Sequence, residues 1–280
     1  MEIAITGASG FLGQRLTRRL KASGHTVRAV STRTLPTPET FAGCDAVVNL
    51  AGEKVAQRWT AAVRARIESS RIDGTRALVA ALRANAPKVL VSSSAIGYYG
   101  ARGDEILDES AAPGAGFLAT VTRKWEYEAL AVEQFGVRVV LLRTGIALGP
   151  EGGALERMLL PFRLGLGGPI AGGRHWMSWI HAEDAVALIE FAIDTATLRG
   201  PLNAVAPNPV INSEFTRELA RALHRPGFFP IPGIALKVLF GEMSEILINS
   251  QRVIPRASMR AGFTFRFPEL RPALADLILK

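Results

Sequence analysis

Three glycines at a spacing of three, Gly7, Gly10 and Gly13, stand between Ile3 and Ile5 on one side and Leu16 and Leu20 on the other. Ile3 and Ile5 open a short apolar run that reads as a buried strand. Leu12, Leu16 and Leu20 recur at i, i+4, i+8, one face of a helix. A strand, a glycine turn and a helix start in that order form the context of a dinucleotide-binding fingerprint. Each glycine has a separate task there. Gly7 permits the sharp exit from the strand, Gly10 keeps side-chain atoms away from a diphosphate, and Gly13 lets the helix pack closely on the sheet. Thr6, Ser9, Phe11 and Leu12 complete the turn, and the N–H groups that open the helix are expected to hold the phosphates.

The next residues with chemical meaning lie after the second strand. A site for NAD usually places Asp or Glu there, about 20 residues past the glycine turn, to bind the ribose hydroxyls. This chain has Ser31, Thr32 and Arg33 and no carboxylate. Two hydroxyls and a guanidinium suit a 2′-phosphate, which arginine binds through paired charge-assisted hydrogen bonds. The expected cofactor is therefore NADP(H). Leu50, Ala51 and Gly52 are expected beside the adenosine ribose. Arg66 and Arg71 are candidates for the diphosphate or the ribose phosphate.

These residues need strands and helices to position them. Residues 25–31, 45–50, 88–91 and 138–142 read as further strands, with helices expected over 60–69, 73–84 and 116–135. Strands alternating with helices imply an α/β fold, a Rossmann-type doubly wound parallel sheet with right-handed crossovers. The pattern changes near Gly145, where Gly and Pro become dense. A helix over 183–195, a strand over 202–205, and helices over 213–224, capped by Asn212, and 234–240 are expected beyond it. GFTFRF at 262–267 alternates like a strand, and 273–279 reads as a closing helix. The division expected is an NADP-binding part, residues 1–144 with about 176–200, and a smaller substrate-binding region, 145–175 with 201–280.

Composition narrows the function classes. The chain has 280 residues, 48% hydrophobic and 21% charged, and a net charge of +8. That is a globular composition. No apolar run reaches the roughly 18 residues of a membrane span, and no signal peptide is evident at the N-terminus. The basic residues are mostly single arginines on amphipathic helices, without a Lys/Arg block or interleaved aromatics, so neither a nucleic-acid nor a membrane partner is expected. One cysteine, Cys44, cannot form an internal disulfide, which suits a cytoplasmic location. No Cys/His cluster marks a metal site.

TGASGFLG, NLAGE at 49–53, SSSAIGYYG at 92–100 and LRTGIALGP at 142–150 resemble the extended short-chain dehydrogenase/reductase superfamily. LPFRLGLGGPI, SWIHAEDA, NAVAPNPVINSEF and the tail GFTFRFPEL narrow the resemblance to an atypical epimerase-family, cell-division-inhibitor-like branch with a C-terminal domain of unknown function. The resemblance implies hydride transfer at a carbonyl or hydroxyl of a small-molecule substrate. It also implies a tyrosine acid/base, a lysine four residues on that lowers its pKa, and a Ser or Thr on the substrate oxygen. Ser94 and Lys124 match two of the three. Thr120 stands where the tyrosine belongs, and a threonine hydroxyl is far too weak an acid to replace a phenol. Tyr98 is the candidate substitute, and His181 is a further candidate proton donor, with a structural role as the alternative. Trp176 and Trp179 could wall a substrate pocket. Two readings result: an NADP(H)-dependent oxidoreductase or epimerase-like enzyme using Ser94, Tyr98 and Lys124, or an NADP(H)-binding regulatory or sensor protein that has lost turnover. A homodimer stands as an option, because a helix face used for dimerisation reads like one used for packing.

Overall fold

The computed structural model describes residues 1–32 and 34–278. In chain order the strands are β1 (Glu2–Thr6), β2 (Thr26–Val30), β3 (Ala46–Asn49), β4 (Val89–Ala95), β5 (Ile106–Leu107), β6 (Arg138–Thr144), β7 (Ile146–Gly149), β8 (Trp176–Met177), β9 (Trp179–His181), β10 (Gly200–Ala204), β11 (Val210–Ile211) and β12 (Arg252–Val253). The helices are α1 (Phe11–Ala22), α2 (Ala61–Leu82), α3 (Phe117–Leu130), α4 (Gly153–Arg163), α5 (Ala182–Asp194), α6 (Asn212–Ala222), α7 (Gly233–Phe240), α8 (Glu245–Ile248), α9 (Arg256–Arg260) and α10 (Leu270–Ile278).

Six strands form one parallel sheet in the order β10-β6-β4-β3-β1-β2. Ile3, Ala4 and Ile5 of β1 and Val47 and Val48 of β3 are fully buried. Strands covered on both faces need such continuous apolar runs. Leu16 and Leu20 of α1 join Val186, Leu188 and Ile189 of α5 in the core on one face. Leu78, Val79 and Leu82 of α2 and Ala129 of α3 close the other. The strand order reverses direction between β1 and β3. In sheets of this kind the crevice above such a reversal is the usual ligand site.

Several expectations change. The two helices expected over 60–84 are one helix, α2, running through Gly74. Its N-terminus is capped by the Thr60 hydroxyl, which accepts from the Val63 N–H at 3.2 Å. β4 continues through all three serines to Ala95. Asn212 does not cap α6. Its carbonyl accepts from Ile170 N–H at 2.7 Å and its amide donates to Met177 Sδ at 3.3 Å. β10 is the edge strand of the main sheet, so a division at residue 200 cuts through it. The segment 262–267 keeps its alternation but is not a strand. Phe263 and Phe265 pack on the main core and Phe267 on a second one. The Asp184 carboxylate, at the start of α5, accepts from the backbone N–H of Arg266 and Phe267 at 2.9 Å each. That second core joins Leu155 and Leu159 of α4, Phe215 of α6 and Leu274 of α10, and it supports the far wall of the crevice.

Candidate functional site

The glycine turn has the geometry its spacing implies. Gly7 adopts φ +70°, and a Cβ there would lie 2.7 Å from the Leu50 carbonyl carbon at the end of β3. A Cβ on Gly13 would lie 2.2 Å from Gly7 O, so the helix seats against the turn itself as well as the sheet. The Gly10 N–H donates to Gly7 O at 2.9 Å and closes the turn. No side chain caps the start of α1 and its first turn carries no acid. Its N–H groups and positive dipole end therefore face the crevice without an internal anion, and the cradle fits a diphosphate. Thr6 contributes differently. Its hydroxyl turns inward and donates to Asn49 Oδ1 at 2.6 Å, and the Asn49 amide reaches Thr75 at 3.1 Å. Phe11 packs against Gly149, Gly152 and Gly153, each too close to its ring to carry a Cβ freely. The Gln14 amide holds Ser9 O at 2.8 Å.

Two cavities flank the switch point. One, of about 450 Å³, is lined by Thr6, Thr32, Thr34, Ala51, Gly52, Ser69 and Asp73 among others. Ser31 and Thr32 are exposed beside it, and Arg33 lies outside the described residues. The other, of about 480 Å³, runs from Leu12 and the Leu50–Gly52 edge past Ser93 and Ser94 to His175, Trp176 and residues 245–251. Arg71 lines this cleft beside Gly52. Its Nη1 donates to Glu53 O at 3.0 Å and Ile67 O at 3.2 Å, and burial lowers its pKa to about 10. Arg66 is exposed on α2 and lines neither cavity, which corrects its expected role.

The catalytic trio is not assembled. Ser94 lines the cleft, but its hydroxyl donates to Glu126 Oε1 at 2.6 Å. Lys124 lies on the outer face of α3, in an open groove of about 710 Å³ between α2 and α3, and pairs with Glu68 at 2.7 Å. Tyr98 does not line the cleft. Its ring lies under the Arg143 guanidinium, 3.5 Å from ring centroid to Cζ. His181 is a buried structural residue. Its Nδ1 accepts from Glu183 N–H at 3.1 Å at the start of α5, and its ring stacks on Phe267 at 4.0 Å. Trp176 borders the cleft, whereas Trp179 is fully buried with its Nε1 on Asn208 O.

Beneath the cleft lies a network that motif reading missed. Arg143 donates to both Glu126 oxygens at 2.8 Å, and the pair is almost fully buried. Arg143 also donates to Tyr99 Oη at 3.0 Å, and Tyr99 donates to Asn203 Oδ1 at 2.7 Å. Burial pushes the Tyr99 phenol up to about 12, so it stays protonated. The signal was an arginine ending the apolar run RVVLLRT, since a charge on a central strand must find a partner. His175, also passed over, lines the cleft with its imidazole pKa lowered by burial. Among the described residues no cluster of three His, Cys, Asp or Glu could hold a metal, and no helix is long and apolar enough to cross a membrane.

Comparison with known proteins bears on the fold and the family. The NAD dependent epimerase/dehydratase family matches residues 3–203, and a domain of unknown function, DUF1731, matches residues 231–277. The chain is 41% identical to the epimerase family protein Mb2239 of Mycobacterium bovis, over 97% of this chain and 96% of that protein. It is 38% identical to the epimerase family protein YfhF of Bacillus subtilis, over 99% and 98%. The crystal structure of human epimerase family protein SDR39U1 (isoform 2) with NADPH superposes with a TM-score of 0.92 at 35% identity, covering 100% of this chain and 99% of that one. With its fingerprint, parallel sheet and C-terminal extension all accounted for, the chain belongs to the NAD dependent epimerase/dehydratase family.

Proposed function

We propose that this chain binds NADP(H) along the crevice above the β1–β3 switch point and acts there on a carbonyl or hydroxyl of a small molecule, as an oxidoreductase or epimerase-like enzyme. The observation that carries the reading is one cleft continuous from the glycine-turn end at Leu12 to Ser94 and His175. The NADPH named in the human SDR39U1 structure supports the choice of nucleotide, as do the hydroxyls of Ser31 and Thr32 in place of a carboxylate. When bound, a nicotinamide supplies or takes up a hydride at the substrate carbon.

The residues then divide the remaining work. Gly7, Gly10 and Gly13 let the backbone approach the diphosphate. Leu50, Ala51 and Gly52 flank the ribose. Ser94 donates its hydrogen bond to Glu126, so its Oγ presents only lone pairs to the cleft, and the substrate hydroxyl's proton is left to His175. His175 exchanges the proton, since Tyr98 and Lys124 stand outside the cleft. Lowered by burial, its imidazole is neutral at neutral pH, the form that takes a proton from an alcohol. A cytoplasmic location is part of the same reading.

Calorimetric titration with NADPH and NADH tests the cofactor. Tighter binding of NADPH, reduced by Arg33→Ala and Thr32→Ala, is expected; equal binding of both, unchanged by these substitutions, would overturn the choice. Turnover of NADPH with a carbonyl panel, lost in His175→Gln, tests the enzyme. The second reading, a nucleotide-binding sensor without turnover, is favoured by the Lys124–Glu68 pair outside the site. Tight NADPH binding with no turnover across the panel would establish it.

A further inference from the structure

We infer that the far end of the cleft receives an apolar carbonyl or alcohol and not a nucleoside diphosphate sugar. The inference rests on the reading above that the Leu12 end holds the dinucleotide. Its ground is the chemistry of the lining. Phe117 and Leu118 from α3, Met158 from α4, Ile170, Met177 and Leu247 face the cleft together.

A diphosphate needs cations or N–H donors to replace its water. Among the described residues that line the cleft, Arg71 is the single guanidinium and no lysine is present. Arg71 sits at the dinucleotide end, and its Nη1 is engaged by Glu53 O and Ile67 O. The far end instead carries the Glu245 carboxylate, which repels an anion. Two arginines stand near the rim with other attachments: Arg252 lies 4.2 Å over the Trp176 ring, and Arg157 donates to Ala56 O.

A sugar also needs hydrogen-bond partners for its hydroxyls, and the polar groups here are largely committed to the protein. The Asn212 amide bonds Ile170 N–H and Met177 Sδ. The Gln251 amide donates to Ile96 O and Gly100 O at 2.9 Å each. The Ser178 hydroxyl donates to Gln251 O and accepts from Val253 N–H. Trp176 Nε1 donates to Asp104 at 2.7 Å. Among the described residues of the lining, Ser93, His175 and Asn249 are the uncharged polar side chains left without a tie to the protein, beside walls of hydrocarbon and thioether. That complement fits a molecule with a small polar head and an aliphatic or aromatic body.

The test is calorimetric titration of the protein loaded with NADP⁺, a state in which ketones bind without reacting. Hexan-2-one, octan-2-one and decan-2-one are compared with UDP-glucose. Each added methylene should tighten ketone binding about fourfold until the cleft is filled. Met158→Lys and, on a separate element, Leu247→Lys should each weaken decan-2-one by about tenfold or more while NADP⁺ binding is kept. UDP-glucose should give no saturable heat. Saturable UDP-glucose binding, or ketone binding that is absent or indifferent to chain length, would overturn the inference. If NADP⁺ itself fails to bind, the dinucleotide reading fails instead, and the same series on the unloaded protein still decides the lining's preference.

Discussion

The two faces of α3 carry different chemistry, and the contrast explains why the expected catalytic set does not form. Val121, Thr122, Trp125 and Glu126 point inward and are buried. Thr120, Lys124 and Tyr127 point outward, with Tyr127 75% exposed. Residues four apart share a helix face, and residues two apart lie on nearly opposite ones. Thr120 and Lys124 therefore share the outer face. On the cleft side the same spacing gives Leu118 with Thr122 and Val121 with Trp125, pairs without a titratable group. The absent tyrosine and the misplaced lysine are thus one fact. The frame for tyrosine–lysine catalysis is not on the inner face, and Glu126 occupies that face to hold Ser94 and Arg143.

Breaking the inner face should have the largest effect. Glu126→Ala leaves Arg143 charged and buried without its partner, and about 3–5 kcal/mol of stability should be lost in denaturant unfolding. A loss under about 1 kcal/mol would mean that water or a rearranged side chain compensates the pair. The next effect comes from Tyr99 in the same network. Its folded pKa of about 12 exceeds the ordinary tyrosine value of 10. The neutral phenol's contribution is therefore complete below pH about 10 and is lost as pH rises to about 12, a fall of about 2–3 kcal/mol. Tyr99→Phe should remove that alkaline fall from the pH dependence of unfolding.

At the cofactor end, Gly13→Ala places a methyl 2.2 Å from Gly7 O. Relief of that clash should cost about 1–3 kcal/mol and lower NADPH affinity, with the two read separately by melting and titration. His175 sharpens the comparison further. Alcohol oxidation should fall as pH drops through its lowered pKa, and whatever residual turnover His175→Gln keeps should show no such acid limb. The smallest effect belongs to the outer face. Lys124 is half-exposed in its pair with Glu68, so Lys124→Ala should change stability by about 0–1 kcal/mol and leave turnover unaltered. A large loss of turnover would restore Lys124 to the reaction.

Backbone requirements were legible in the sequence, and side-chain directions less so. Gly7, Gly10 and Gly13 announce their task because few other residues fit a left-handed turn and close backbone approach. The parallel sheet was equally readable from its alternating strands and helices. Lys124 was not, because a spacing borrowed from a motif says nothing about which helix face meets the crevice. Arg66 failed for the same reason: Ile67 and Val63 define the buried face of α2, and Arg66 stands beside it. Asn212 had the composition of a cap but found better partners across space in Ile170 and Met177. Gly262–Phe267 alternated correctly, yet among the described residues no strand pairs with it to complete a ladder. Gly262 and Phe263 N–H donate back to Met259 O and Ser258 O, and Arg266 and Phe267 N–H donate to one carboxylate, Asp184.

That carboxylate clasp has a consequence for biosynthesis. The phenyl rings of Phe263 and Phe265 complete the covering of the main core, whose first strand begins at Glu2. During translation the nascent sheet must therefore wait, partly uncovered, until residues near 267 leave the ribosomal exit tunnel. A ribosome stalled about ten codons before Phe263 should display a protease-sensitive product, while release of the full chain should close it in a single step.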